Sequence, residues 1–156
     1  GVVPHAMGNR HPSITPYEVF STADRPLVLA VGNDRQFAAL ADVLGQPDLA
    51  ADEHFSTNKA RVAHRDELVG LLNEALSHDT ADAWFTVLTA RGVPCGPLND
   101  VADAIALAER LRLAPAVEID DPRRDGPITQ IANPIRMSAT PPTYRTAPPR
   151  LGEDDR

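Results

Sequence analysis

Cysteine is nearly missing from this sequence, and so are aromatic residues, long apolar runs and any excess of positive charge. The lone Cys95 cannot close an internal disulfide, which fits a reducing compartment and leads us to expect a cytoplasmic protein. Aromatics make up 4% of the 156 residues, so a core must be built mainly from Ala, Leu and Val. Lys+Arg number 15 against 22 Asp+Glu, a formal charge of −7. Such a chain carries no basic footprint, so neither a nucleic acid nor an anionic membrane is expected as a partner. The longest uncharged apolar runs, such as Leu27 to Gly32, are far too short to span a bilayer, and no secretory leader is expected at the start.

Proline, by contrast, is abundant, and its placement divides the chain. Of 15 prolines, four fall in the first 26 residues (Pro4, Pro12, Pro16 and Pro26), none falls between Asp48 and Val93, and eight lie from Pro115 to Pro149. Proline fixes φ and removes a backbone donor, so the proline-free middle should hold the helices and the two ends should be extended. Residues 1–16 read as loop. Tyr17 to Thr22 alternates as a strand, a turn follows through Pro26, and Leu27 to Val31 is a short apolar run ended by Gly32, so the two runs predict a hairpin.

Helices follow. Asn33 can cap the first, with Gln36 placed as in a capping box; Phe37, Leu40, Ala41 and Leu44 share a face, and Gly45 with Pro47 closes it. Asn58 to Ala63 predicts a helical turn. Leu68, Leu71, Leu72, Ala75 and Leu76 form a second stripe. Thr80 can cap a third helix with the stripe Ala81, Trp84, Phe85 and Leu88, closed by Gly92. Val93 to Pro97 reads as a rigid turn, and Asn99 as the cap of a fourth helix reaching about Leu111. Ala116 to Ile119 and Ile128 to Ala132 read as two short strands, and the segment from Asn133 onward as an arm that buries too little to fold alone. The fold class is therefore α+β: a small domain with a hairpin and about four helices, plus an extended C-terminal segment with two short strands. We divide it into residues 1–24 (linker and first strand), 25–114 (small α+β domain) and 115–156 (returning segment).

No self-contained catalytic constellation is visible. His5, His11, His54, His64 and His78 include no pair at helical ligand spacing and Cys95 has no cysteine partner, so no metal site is expected. Cys95 reads as a small buried residue of a Pro/Gly turn, and His64 as a capping or surface residue. The Gly8-Asn9-Arg10 loop has no strand before it and no Walker or dinucleotide pattern around it. The pair Asp120-Asp121 and the run Glu153-Asp154-Asp155 read as solvated charge.

The order of motifs nevertheless resembles the C-terminal portion of family III CoA-transferases, a group that includes formyl-CoA:oxalate and carnitine CoA-transferases and α-methylacyl-CoA racemase. The matching pieces run across nearly the whole chain: Gly8-Asn9-Arg10-His11-Pro12-Ser13; Pro16-Tyr17-Glu18-Val19-Phe20 with Thr22-Ala23-Asp24; Val31 to Phe37; Thr57-Asn58 with Arg61 to Leu68; Gly92 to Pro97 with Asn99-Asp100; Asn133-Pro134-Ile135-Arg136; and Pro148-Pro149 with Leu151-Gly152-Glu153.

The resemblance implies a parent enzyme more than twice as long. That enzyme would move coenzyme A between an acyl-CoA and a carboxylate acceptor through an aspartyl intermediate. The family's nucleophilic aspartate and most of its coenzyme A contacts lie in the N-terminal half, so no catalytic residue is carried over and this chain alone is expected to be inactive. The resemblance implies no cofactor, with the coenzyme A thioester as substrate, and an interlocked homodimer. One element is carried over as substrate-binding: a glycine-rich loop that covers the acyl adduct corresponds to Gly8, Asn9, Arg10 and His11. Gly8 and Pro12 match that loop, while Asn9, Arg10 and His11 stand where it has glycines, which points to a different acyl group. Two rival readings are a racemase-type isomerase fragment and a non-catalytic domain that dimerises or binds acyl-CoA.

Overall fold

The computed structural model describes residue 3 and residues 6–154. Pro4 and His5 of the expected N-terminal loop, and Asp155 of the acidic run, lie outside the described residues. The chain divides into two compact units, the first running through Leu98 and the second beginning at Asn99.

The first unit is built on a three-stranded antiparallel sheet with the order β1-β2-β3. Strand β1 (Tyr17–Phe20) pairs with β2 (Leu27–Ala30) in the register Tyr17↔Ala30 to Phe20↔Leu27, the expected hairpin. Alternation puts Leu27 and Leu29 into the core from β2 and Phe20 from β1, and Val31, just past the end of β2, is buried with them. The third strand was not expected. Cys95–Pro97, part of the segment read as a rigid turn, is β3 and pairs with β2 in the register Leu29↔Cys95 to Leu27↔Pro97. The free edge of β2 supplies ladder groups that a proline-flanked segment cannot find locally, and Pro97 is tolerated because β3 is an edge strand.

The helices close over this sheet. Helix α1 (Asp34–Val43) starts where Asn33 Oδ1 accepts the Gln36 N–H at 2.9 Å. Gln36 Oε1 in turn accepts the Gly32 N–H at 2.8 Å, one residue earlier than a capping box would place it. A single 3-10 turn (Pro47–Ala50) and a short helix α2 (Asn58–Ala63, capped by Thr57) lead to α3 (Arg65–Leu76) and α4 (Ala81–Ala90, capped by Thr80). Helices α1 and α4 end alike: Gln46 N–H reaches Ala41 O and Val93 N–H reaches Leu88 O, closures that need the positive φ of Gly45 (+71) and Gly92 (+72). The core joins Phe20, Leu27, Leu29, Phe37, Leu40, Phe55, Leu68, Leu72, Leu76 and Leu88, all buried. Phe85 departs from expectation: at 36% exposure it stands at the border of the α4 stripe, while Ala81 and Leu88 carry the burial.

The second unit holds α5 (Val101–Arg110) and the antiparallel pair β4 (Ala116–Ile119) and β5 (Ile128–Ile131). The cap of α5 is Asp100, not Asn99. Asp100 Oδ1 accepts the Asp103 N–H at 2.8 Å and the Asp103 side chain returns to the Asp100 N–H, a reciprocal arrangement Asn99 could not make. The helix ends with the same closure as α1 and α4, but the residue at positive φ is Arg112 (+56). Among the described residues of this unit, Ile119 is the one buried apolar side chain, and α5 buries none. The acidic residues here are not simply solvated. Asp121 is buried and paired with Arg123 Nε at 2.6 Å, and Arg123 also pairs with Glu153 and donates to Pro148 O. These contacts tie the Pro148–Glu153 stretch of the arm to the β4–β5 turn.

Candidate functional site

Strand β1 is an edge strand, and an open edge is a row of unpaired backbone groups. The Gly8–His11 loop covers it. Gly8 turns the chain at φ +69, with open space where a Cβ would point. Asn9 Oδ1 then accepts the Val19 N–H at 2.8 Å, and the His11 N–H donates to Tyr17 O at 3.0 Å. The His11 ring stacks on Tyr17 with centroids 5.2 Å apart, and its Nδ1 accepts the Ser13 N–H at 3.2 Å, so the ring hydrogen of neutral His11 sits on Nε2.

Beneath this loop lie three buried charges. Glu18 shares the inward side of β1 with Phe20 and is 4% exposed. Its Oε1 is 3.2 Å from Arg65 Nη1 and its Oε2 is 2.9 Å from Arg10 Nε. Arg65 Nη2 donates to His11 O at 2.7 Å and to Ile14 O at 3.4 Å. Arg61 is fully buried. It donates from Nε to Thr15 O at 2.7 Å, from Nη1 to Phe55 O at 2.8 Å and from Nη2 to Asp34 Oδ1 at 2.7 Å, with its guanidinium 4.4 Å above the Phe37 ring. Asn58 completes the clamp: its amide accepts the Thr15 N–H at 3.1 Å and donates to Ser13 O at 2.8 Å.

The four residues expected to bind substrate are thus brought together on one edge of the sheet, with Asn9, Arg10 and His11 each making an internal contact. Arg10 brings a positive charge to the surface. Its side chain is 41% exposed, and its second partner, Asp66 Oδ1 at 3.3 Å, is itself 90% exposed. Sequence reasoning missed Glu18, Asn58, Arg61 and Arg65 as members of this site. A signal was present: Arg61, Arg65, Leu68 and Leu72 recur at helical spacing, so the apolar stripe of α3 continues backward into two arginines.

Other candidates fall outside this cluster. His64 makes no side-chain cap bond. Its Nδ1 is 3.0 Å from Ala60 O and its ring stacks on His54 at 4.1 Å. Cys95 is half-buried, and burial pushes its thiol up to about 11. Among the described residues no group of three or more His, Cys, Asp or Glu side chains is placed to hold a metal ion, and no helix is long and apolar enough to cross a membrane. In the second unit a cavity of about 230 Å³ lies among Ala108, Leu113, Pro115, Ile131 and Arg136. A larger, open hollow of about 480 Å³ includes Asp120, Arg123, Arg145, Glu153 and Asp154 in its lining.

With this geometry in hand, comparison places the chain: it belongs to CoA-transferase family III, whose profile matches residues 1–155. It is 38% identical over 154 residues to the acetyl-CoA:oxalate CoA-transferase of Acetobacter aceti, covering 98% of this chain and 38% of that protein. It is 41% identical over 155 residues to the succinate–glutarate CoA-transferase of Agrobacterium fabrum, again covering 98% and 38%. A crystal structure of a CAIB/BAIF family protein from Brucella suis superposes with a TM-score of 0.80 at 39% identity, over 96% of this chain and 38% of that one. The chain therefore spans less than two-fifths of the length of these relatives.

Proposed function

We propose that this chain is the C-terminal portion of an acyl-CoA:carboxylate CoA-transferase, and that Gly8, Asn9, Arg10 and His11 contribute one wall of its acyl site. The observation that carries this reading is the match to the family across residues 1–155. The relatives' names favour the transferase branch over the racemase branch, and they point to dicarboxylates such as oxalate, succinate or glutarate as acyl donor or acceptor. Arg10 suits that chemistry. A guanidinium offers a fork of N–H donors to a carboxylate, and Arg10 can meet a ligand in place of the exposed Asp66 while its Nε stays on Glu18.

In this reading the covalent work belongs to a carboxylate outside the chain. The carboxylate attacks the thioester carbonyl and expels coenzyme A thiolate, leaving a mixed anhydride. The thiolate attacks the enzyme's acyl carbon, releasing the donor acid and leaving an enzyme thioester. The acceptor carboxylate then attacks that thioester and expels the thiolate, re-forming an anhydride, and the thiolate attacks the acceptor's acyl carbon, giving the new acyl-CoA and releasing the enzyme carboxylate. We further propose a homodimer in a reducing, cytoplasmic compartment, the latter on the single Cys95.

The test is thioester exchange. Purified chain mixed with succinyl-CoA and either oxalate or glutarate is expected to form no new acyl-CoA, whereas the natural polypeptide carrying this chain is expected to do so. Exchange by the chain alone would place the nucleophile within it. Deuterium uptake at C2 of a 2-methylacyl-CoA, without exchange, would favour the isomerase. Acyl-CoA binding with neither reaction would favour the non-catalytic domain.

A further inference from the structure

We infer that Glu18 and Arg65 are a positioning pair that sets the conformation of the loop from Asn9 to Ile14, and through it the place at which Arg10 is presented. The functional half of this inference rests on reading the loop as part of an acyl site. The structural half stands on the contacts alone.

Glu18 and Arg65 are both nearly buried, with side chains 4% and 9% exposed. A buried ion pair is a poor source of net stability, because desolvation offsets attraction; apolar residues of similar size commonly serve as well. What such a pair supplies is direction. The carboxylate of Glu18 bridges two guanidiniums, taking Arg65 Nη1 on Oε1 and Arg10 Nε on Oε2. The other terminal nitrogen of Arg65 holds the carbonyls of His11 and Ile14. One planar fork therefore joins the β1 carboxylate to two points of a loop that has no regular secondary structure of its own. Arg10 is held through Nε, and its remaining ion-pair partner is the exposed Asp66. A ligand carboxylate could replace Asp66 on Arg10 without disturbing Glu18. Neither Glu18 nor Arg65 needs to touch a ligand for this; both act through Arg10 and the loop.

The experiment is amide hydrogen exchange of the loop in the chain without ligand, read beside the melting temperature. In Glu18→Met/Arg65→Met the melting temperature should move by less than about 3 °C. Exchange across residues 9–14 should rise about tenfold or more while the Leu68–Leu76 amides of α3 keep their rate. Arg65→Lys keeps the charge opposite Glu18 but loses the fork, and it should show the same loop-selective rise; it carries the test if the double variant does not fold. Arg10→Gln, which removes the residue being held, should leave loop exchange unchanged. Parental loop exchange in the variants, or a rise shared equally by α3, overturns the inference. Loosening by Arg10→Gln equal to that of Arg65→Lys overturns the division of roles. No acyl-CoA is needed for any of these readouts; thioester exchange left unchanged by Arg10→Gln in the natural polypeptide would remove the acyl-site reading while the pair's role in the loop stands.

Discussion

Arg61→Met should be among the most destabilising single changes in this chain that leave the apolar core intact. Arg61 is fully buried, and its guanidinium donates to Thr15 O, Phe55 O and Asp34 Oδ1 at 2.7–2.8 Å. Methionine replaces the aliphatic stem but none of the donors. Asp34 can turn to water, since its side chain is 58% exposed. The carbonyls of Thr15 and Phe55 cannot readily do so, because both residues are buried, and each orphaned carbonyl costs about 1–3 kcal/mol. Loss of the guanidinium above the Phe37 ring adds about 0.5–2 kcal/mol. Against this stands the relief of desolvating a charge, so the net expectation is about 3–5 kcal/mol. Arg61→Lys keeps the charge and serves part of the acceptor set, and should cost about 2 kcal/mol. Asp34→Asn keeps an acceptor oxygen at a half-exposed site and should cost below about 1 kcal/mol. Urea unfolding followed by far-ultraviolet circular dichroism, extrapolated linearly to water, resolves these differences. A cost for Arg61→Met below about 1 kcal/mol, or equal to that of Asp34→Asn, would refute the reasoning: the carbonyls would have found water, and the buried guanidinium would not hold the loop to the helices.

Three further outcomes are expected. Leu72 is fully buried in the middle of α3, so Leu72→Ala should cost about 2–5 kcal/mol in the same assay, and an unchanged midpoint would remove α3 from the core. The backbone N–H of Ala81 donates to Asp24 Oδ1 at 2.8 Å, and this bond, with further ones from Arg25 and Thr22, holds the Asp24 carboxyl below its ordinary 3.8. A lowered carboxyl pKa stabilises above the unfolded value and loses that contribution as pH falls through the folded one, so melting temperature should drop below about pH 4 and drop less in Asp24→Asn. Equal pH profiles would remove Asp24 from the acid response. Finally, with its thiol pushed up to about 11, Cys95 should react with iodoacetamide at pH 8 about two orders of magnitude more slowly than a free cysteine thiol. A rate like that of free cysteine would show the site to be open.

The elements that could be read from the sequence are those whose cause lies within a few consecutive residues. The caps at Asn33 and Thr80, the glycine stops at Gly45 and Gly92 and the stripe from Leu68 to Leu76 all recur where expected. So do the four strands β1, β2, β4 and β5, because alternation and 3.6-residue periodicity are properties of contiguous chain. The order of family motifs was legible for the same reason: it is a one-dimensional pattern, and the match over residues 1–155 reads the same pattern.

What depended on distant chain was not legible. Val93 to Pro97 carries turn residues, and its Cys95–Pro97 part becomes a strand only because β2, nearly 70 residues earlier in sequence, has an edge to offer. Asn99 and Asp100 are equally good caps by residue type, and the Asp103 side chain decides between them. Phe85 fits the helical period of α4 yet stands half in solvent, because nothing in the first unit covers that flank. Asp121 reads as surface charge until Arg123 folds back over it.

The candidate site shows the division most clearly. By itself the sequence determined that Gly8, Asn9, Arg10 and His11 form a loop, and that Glu18, Arg61 and Arg65 are charged residues on a strand and two helices. Only the tertiary structure decided that these charges are buried and joined. Arg65 meets Glu18 across 47 positions, and Arg61 meets Thr15 across 46. A charge is buried only where its partner is also brought, and that condition is met by the packing of β1 against α3 rather than by any local run of residues.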